Sequence, residues 1–152
     1  MATNSKQLNK PYKDNSEQLN KLYKDYNLDR DKDFFSHSQG WTIIKRNGID
    51  KVQAKAKIKI TYDVIHLDDK FAVIKASGQY GDAYIETFGE ADRRSNCKNA
   101  YHVAMAEKRA MGRVVLKLAG FYEAGAYTED EAPEFSKDVS DALAEKLYNK
   151  RK

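Results

Sequence analysis

Apolar and polar positions alternate most regularly between Val52 and Val64. Val52, Ala54, Ala56, Ile58, Ile60, Tyr62 and Val64 take one parity, and Gln53, Lys55, Lys57, Lys59, Thr61 and Asp63 the other. A period of two predicts a half-buried strand with its lysines on the solvent face. Ala, Lys and Gln also favour helix, but a helix would scatter both classes around its surface, so a strand is expected. Asp68-Asp69 predicts a turn, Lys70 to Ser77 a second strand, Gln79 to Asp82 another turn, and Ala83 to Phe88 a third strand. Three strands with short connections predict an antiparallel meander.

Beyond Asn99 the apolar period becomes helical. Asn99 to Ala119 predicts the longest helix, stopped by Gly120. Tyr101, Ala104, Met111, Val115, Leu118 and Ala119 form its apolar face, and His102, Ala106, Arg109, Arg113 and Lys117 the opposite arc. Arg109, Arg113 and Lys117 stand at i, i+4 and i+8 and stack into one basic ridge. Glu107 and Lys108 fall inside the apolar arc and need partners there. Gly112, also on that side, predicts the close approach of another backbone.

Ser16 or Asn15 caps a short helix carrying Leu19, Leu22, Tyr23 and Tyr26. Roughly Lys137 to Asn149 carries Val139, Leu143 and Leu147 as a final amphipathic helix. Asn47-Gly48 predicts a turn, and Phe34, Phe35 and Trp41 around Gly40 an aromatic plug at one end of the core. Residues 1–15 lack a period and are expected to be a flexible tail, with 16–152 as a single domain. The expected class is α+β: an antiparallel β-meander of at least three strands packed on a long basic α-helix, with short N- and C-terminal helices.

Charge sharpens this picture. The net charge is +4, and its distribution is uneven. Lys45, Arg46, Lys51, Lys55, Lys57 and Lys59 face only Asp50 between Trp41 and Tyr62. Arg93, Arg94, Lys98, Lys108, Arg109, Arg113 and Lys117 face only Asp92 and Glu107 in the next block. The sign then reverses, with Glu123, Glu129, Asp130, Glu131, Glu134 and Asp138 against Lys137. A charge run is ordinarily a solvated face, but two basic blocks in one small domain favour a polyanionic partner.

Other chemistry finds less support. No apolar run approaches the ~20 residues of a membrane span, and Met1 to Lys10 has no apolar core, so a cytoplasmic chain without membrane contact is expected. Cys97 is the lone cysteine, which excludes an intramolecular disulfide and a multi-cysteine zinc site. His37, His66 and His102 lack ligand spacing, and Glu129-Asp130-Glu131 lacks that of a calcium loop. Gly78 and Gly81 precede a strand rather than a helix, so no phosphate-cradling loop is expected. No catalytic residue, metal or cofactor is therefore assigned.

Nucleic-acid binding is the favoured reading of the residues. Lys55, Lys57 and Lys59 on one strand face would repeat at about 6.6–6.8 Å, near the phosphate spacing of an extended single strand. The ridge of Arg109, Arg113 and Lys117 would supply the opposite wall of a groove, with aromatic residues as stacking platforms. The alternatives are a passive single-strand-binding module and a small metal-dependent nuclease using Asp63, Glu86 or Glu90 with Lys59 or Lys75. A protein-binding accessory acting through the acidic loop is a further one.

The stretch from Gly40-Trp41-Thr42-Ile43-Ile44 to Phe135 resembles phage single-strand annealing proteins of the Rad-fifty-two-like superfamily. The resemblance rests on the order of strands, basic helix and acidic segment. It also rests on Glu86-Thr87-Phe88-Gly89-Glu90-Ala91 at the last strand, on YHVAMAEKRAMGRVVLKLAG from Tyr101 to Gly120, and on Glu129-Asp130-Glu131-Ala132. It covers about 95 residues. The family's inner DNA-binding helix carries two adjacent basic residues and a third one turn later. Arg113 matches the first and Lys117 the last, while Val114 stands in the middle place; Arg109 is a substitute one turn earlier. The resemblance implies a ring or filament of copies that binds single-stranded DNA and anneals complementary strands in homologous recombination, without ATP, in the bacterial host cell. It also implies that the acidic loop touches a basic neighbour, and that a phage exonuclease or single-strand-binding protein is a further partner. Arg93 and Arg94 complete the expected DNA-binding set.

Overall fold

Three strands form between Lys59 and Asp92 because their apolar positions alternate and short turns join them. In the computed structural model, which describes residues 10–36 and 41–131, β3 (Lys59–Leu67), β4 (Phe71–Tyr80) and β5 (Ala83–Asp92) make an antiparallel sheet in that order. Asp68 closes the first turn, its carboxylate accepting the amides of Lys70 and Phe71. Gly81, at φ +59°, supplies the left-handed conformation of the second. Preceding this sheet are α1 (Lys10–Asp25), β1 (Phe34–Ser36), β2 (Thr42–Ile44) and α2 (Arg46–Ala56). Following it are α3 (His102–Leu118), β6 (Ala126–Thr128) and a 3-10 turn (Glu129–Glu131). The class is α+β, an antiparallel meander packed on the long helix. The expected C-terminal helix, residues 1–9, His37 and Gly40 lie outside the described residues. Among those described, no helix is long and apolar enough to cross a membrane.

The thirteen-residue strand expected from Val52 to Val64 divides in two. Val52 to Ala56 belongs to α2, and the strand starts only at Lys59. The helix begins early enough, at Arg46, to place Ile49, Val52 and Ala56 on one buried face. The intervening Ala, Lys and Gln residues then follow their helix propensity. Lys57 ends the helix in the left-handed region at φ 55°, donating its amide to the Gln53 carbonyl. Asn47-Gly48 is likewise no turn but lies in the first turn of α2. Gly48 is buried there because a Cβ would stand 2.7 Å from the Asp33 carbonyl oxygen. At the other end of the chain, α1 starts at Lys10, inside the segment expected to be a tail.

A second sheet, β1-β2-β6, escaped the sequence pattern; β1 runs antiparallel to β2, and β6 parallel to it. Between the two sheets runs α3, covered on one side by β4 and β5 and on the other by α2 and β6. Its buried residues therefore wrap most of its circumference: Ala106, Ala110, Met111, Gly112, Val114, Val115 and Leu116. Ala106, expected in the exposed arc, is fully buried, while Tyr101 is 73% exposed and Ala104 is exposed. The backbone approach foreseen at Gly112 occurs at Gly89 instead, where a Cβ would run into the Ala106 carbonyl and the Ala110 amide. Gly112 accommodates the Thr128 side chain, 2.8 Å from where its Cβ would be. Thr87 Oγ1 donates to the Ala110 carbonyl at 2.7 Å, fixing the helix on the sheet. Phe34 is buried in a stack on Tyr23, with centroids 3.8 Å apart, and Phe35 is half-buried.

Candidate nucleic-acid interface

Each expected basic residue has a definite place, and the two rows do not line one cleft. Lys55, Lys57 and Lys59 occupy a helix, its cap and the first residue of a strand, so they form no regular comb. Lys55 Nζ donates to the Asp25 carbonyl at the end of α1. Lys57 and Lys59 are exposed with no side-chain partner among the described residues. Lys51, on the same helix, pairs with the nearly buried Asp33 at 2.6 Å. Burial works against ionisation of Asp33, but the Asp29 amide and the Lys51 ammonium outweigh it and hold the carboxyl below its ordinary value.

The arginine ridge faces inward. Arg113 donates from Nη1 to the Phe88 carbonyl at 2.6 Å and from Nε to Glu131 at 2.9 Å. Arg109 donates to the carbonyls of Glu90 at 2.7 Å and Asn96 at 2.8 Å, with Asp130 3.8 Å away. Only 12% of the Arg109 side chain and 25% of that of Arg113 is exposed. These two arginines thus occupy outward carbonyls of β5, at the sheet edge opposite β3. Two strand spacings, about 10 Å, separate that edge from Lys59. The acidic segment expected to meet a neighbouring molecule meets this chain's own helix. Glu131 also accepts the Tyr122 hydroxyl at 2.7 Å, and burial followed by this carboxylate raises the tyrosine's pKa. Arg94 is engaged by Asp92 through two bonds of 2.9 Å. Arg93 points to the Asp69 carbonyl at 3.4 Å. Both arginines follow β5, whose ten residues put them about 30 Å from its start.

What does come together is one end of the domain. Lys59 pairs in register with Gln79, and Gln79 with Tyr84. The last turn of α3 lies over this end, since a Cβ on Gly78 would meet Val114 and Leu118. That turn brings Lys117, exposed, with its ammonium 5.4 Å from the Tyr122 ring. The ends of α1 and α2 add Lys24 and Lys55. Tyr80 and Tyr84 are 39% and 58% exposed here. Tyr26, beside Tyr80, has its pKa pushed up to about 12, first by burial and then by that neighbour. Lys24, Lys55, Lys57, Lys59 and Lys117 share this end with Asp25, Asp82 and Glu86, the last accepting the Tyr84 hydroxyl at 2.9 Å. Three of the lysines also sit in last helical turns, where the helix dipole favours them. Tyr80 and Tyr84 were legible only as hairpin residues; the strand register makes them neighbours of Lys59.

The sheet face turned away from α3 has the opposite character. Lys75 lies 3.7 Å from both Asp63 and Glu86, so its ammonium already sits between the two nearest carboxylates of the nuclease reading. Glu90 lies further along β5, in register with Val73. No group of three or more potential metal-ligating side chains converges among the described residues. At the β3–β4 turn, His66 and then the Lys70 and Phe71 amides hold the Asp68 carboxyl well below the usual range. Cys97 is buried, its thiol directed at Asn99. No family model, no curated protein and no solved structure matches the chain.

Proposed function

We propose that the chain binds single-stranded DNA and anneals complementary strands in phage-type recombination, without ATP and as an assembly of copies. The observation that carries the reading is that exposed Lys55, Lys57, Lys59 and Lys117 lie with exposed Tyr80 and Tyr84 at one end of the domain, Lys59 and Tyr84 on the sheet face away from α3 and Lys117 on the helix side. Lysines neutralise phosphates without reading sequence, and tyrosines offer any base a stacking face. A strand held by its backbone keeps its base edges free to find a complement, and neutralised phosphates no longer repel the second strand. The order meander, long helix, acidic turn agrees with the resemblance noted above. Arg109 and Arg113 drop out of the proposed contact set because carbonyls and carboxylates of this chain engage them and little of either side chain is exposed, and Arg93 and Arg94 because they follow the far end of β5; exposed Lys55 spends one ammonium donor on the Asp25 carbonyl and keeps two.

The test is oligonucleotide binding across a salt series, with Lys57→Glu and Lys117→Glu. Contacts to ~4–6 phosphates give log affinity a slope of about −3 to −4 against log salt. Each reversal is expected to weaken binding and flatten the slope. Unchanged binding in both variants defeats the proposed surface. Acceleration of pairing between complementary labelled strands separates an annealing protein from a passive binder, which would slow pairing or leave it unaltered.

A further inference from the structure

The two edges of the meander differ. Arg113 and Arg109 occupy the Phe88 and Glu90 carbonyls on β5. Among the described residues, no group outside the sheet guards the backbone of β3 in this way. Eight of the nine residues of β3 are exposed, Ile60 being the exception, and Tyr62 within its first half is 41% exposed. A long unpaired edge is a template for another strand.

We propose that β3 pairs antiparallel with β3 of a second copy of this chain, about a two-fold axis at Thr61. In that register Lys59 stands opposite Asp63 twice, Ile60 opposite Tyr62 twice, and Thr61 opposite itself. Opposite charges, aromatic with β-branched residues, and threonine pairs are all favourable cross-strand neighbours. Lys59, Thr61 and Asp63 share the sheet face away from α3, and Ile60 and Tyr62 the other, so each pair meets on its own face. The bulge between Val64 and His66 falls beyond the paired stretch. An axis at Asp63 would oppose two aspartates, and one at Tyr62 would set Lys59 against Ile65; charge selects Thr61. Because both halves of the charge pattern lie on one strand, the complementary partner is this chain itself. A two-fold contact of this kind is self-complementary and closed. It stands on the edge strand alone; it shares Lys59 with the nucleic-acid reading, and Asp63 keeps Lys75 of its own chain 3.7 Å away on the same face.

The experiment is the solution mass of the full chain by sedimentation, without nucleic acid, for the parent, Lys59→Asp, Asp63→Lys and the double exchange, each checked for folding by circular dichroism. The parent is expected at twice the 17.4 kDa chain mass. Either single reversal sets like charges opposite each other at two places and weakens the pair by about tenfold or more. The double exchange restores opposite charges and recovers the association. Concentration-dependent hydrogen-exchange protection of the β3 amides in the parent supports the same surface. A parent that stays at 17.4 kDa up to about 100 µM overturns the proposal, as do single reversals that associate like the parent or a double exchange no better than the singles. Failure of Lys57→Glu to affect DNA binding leaves this result untouched.

Discussion

Replacing Arg113 by Met tests whether the helix ridge is architecture or binding surface. The guanidinium makes two short bonds, to the Phe88 carbonyl and to Glu131, and three-quarters of the side chain is buried. Hydrogen bonds to charged groups contribute ~1.5–3 kcal/mol each, and partial exposure screens this pair. Met keeps most of the apolar stem but leaves Glu131, itself 16% exposed, facing an empty place. The expected loss is about 2–4 kcal/mol. For a chain of this length that lowers the thermal midpoint by roughly 4–16 °C. Urea unfolding followed by circular dichroism measures it, and a cycle with Glu131→Gln is expected to return about 1–2 kcal/mol of coupling. At a temperature where the variant is fully folded, oligonucleotide affinity should match the parent. A variant of unchanged stability that has lost affinity would refute this assignment and return Arg113 to the DNA-binding set.

The remaining predictions use the same unfolding assay. Gly89→Ala, with its Cβ directed into the α3 backbone, is expected to cost at least about 2–3 kcal/mol, whereas alanine in a strand ordinarily gains over glycine; a stabilised variant would contradict the close approach. Lys57→Gly relieves a left-handed lysine and is expected to stabilise by about 0.5–1 kcal/mol while weakening oligonucleotide binding, so that stability and affinity move in opposite directions. The carboxyls of Asp33, Asp68 and Asp92 lie below their ordinary value when folded, so their contribution is complete above the unfolded value of 3.8 and is lost as pH falls through the lowered ones. Stability should therefore hold from pH 7 to about 5 and fall below about 4, with a shallower acid limb in Asp33→Asn; a decline already complete above pH 5 would contradict this.

The meander was legible because Ile58, Ile60, Tyr62 and Val64 alternate and because Asp68-Asp69 and Gly81 punctuate it. The end of α3 was legible from Gly120, which adopts φ +89°. Lys55 to Lys57 misled because Ala, Lys and Gln suit either period; the decision lay upstream, in the spacing of Ile49 and Val52. Three-residue strands such as β2 and β6 are too short to show a period, and their pairing joins Thr42 to Ala126 across most of the domain. The ridge of Arg109 and Arg113 followed from helical spacing alone. What it faces depends on β5 and the 3-10 turn, which no local pattern reports. The lysines at 57, 59 and 117 were named from charge, whereas their company with Tyr80 and Tyr84 emerged only from strand register.

The arginines laid along β5 act on growth as well as on packing. A sheet with one receptive border and one stoppered border behaves like a monofunctional monomer, whose coupling product has nothing left to react. Stripping both arginines would make it bifunctional, and such a chain is expected to lengthen into fibres where the natural one halts.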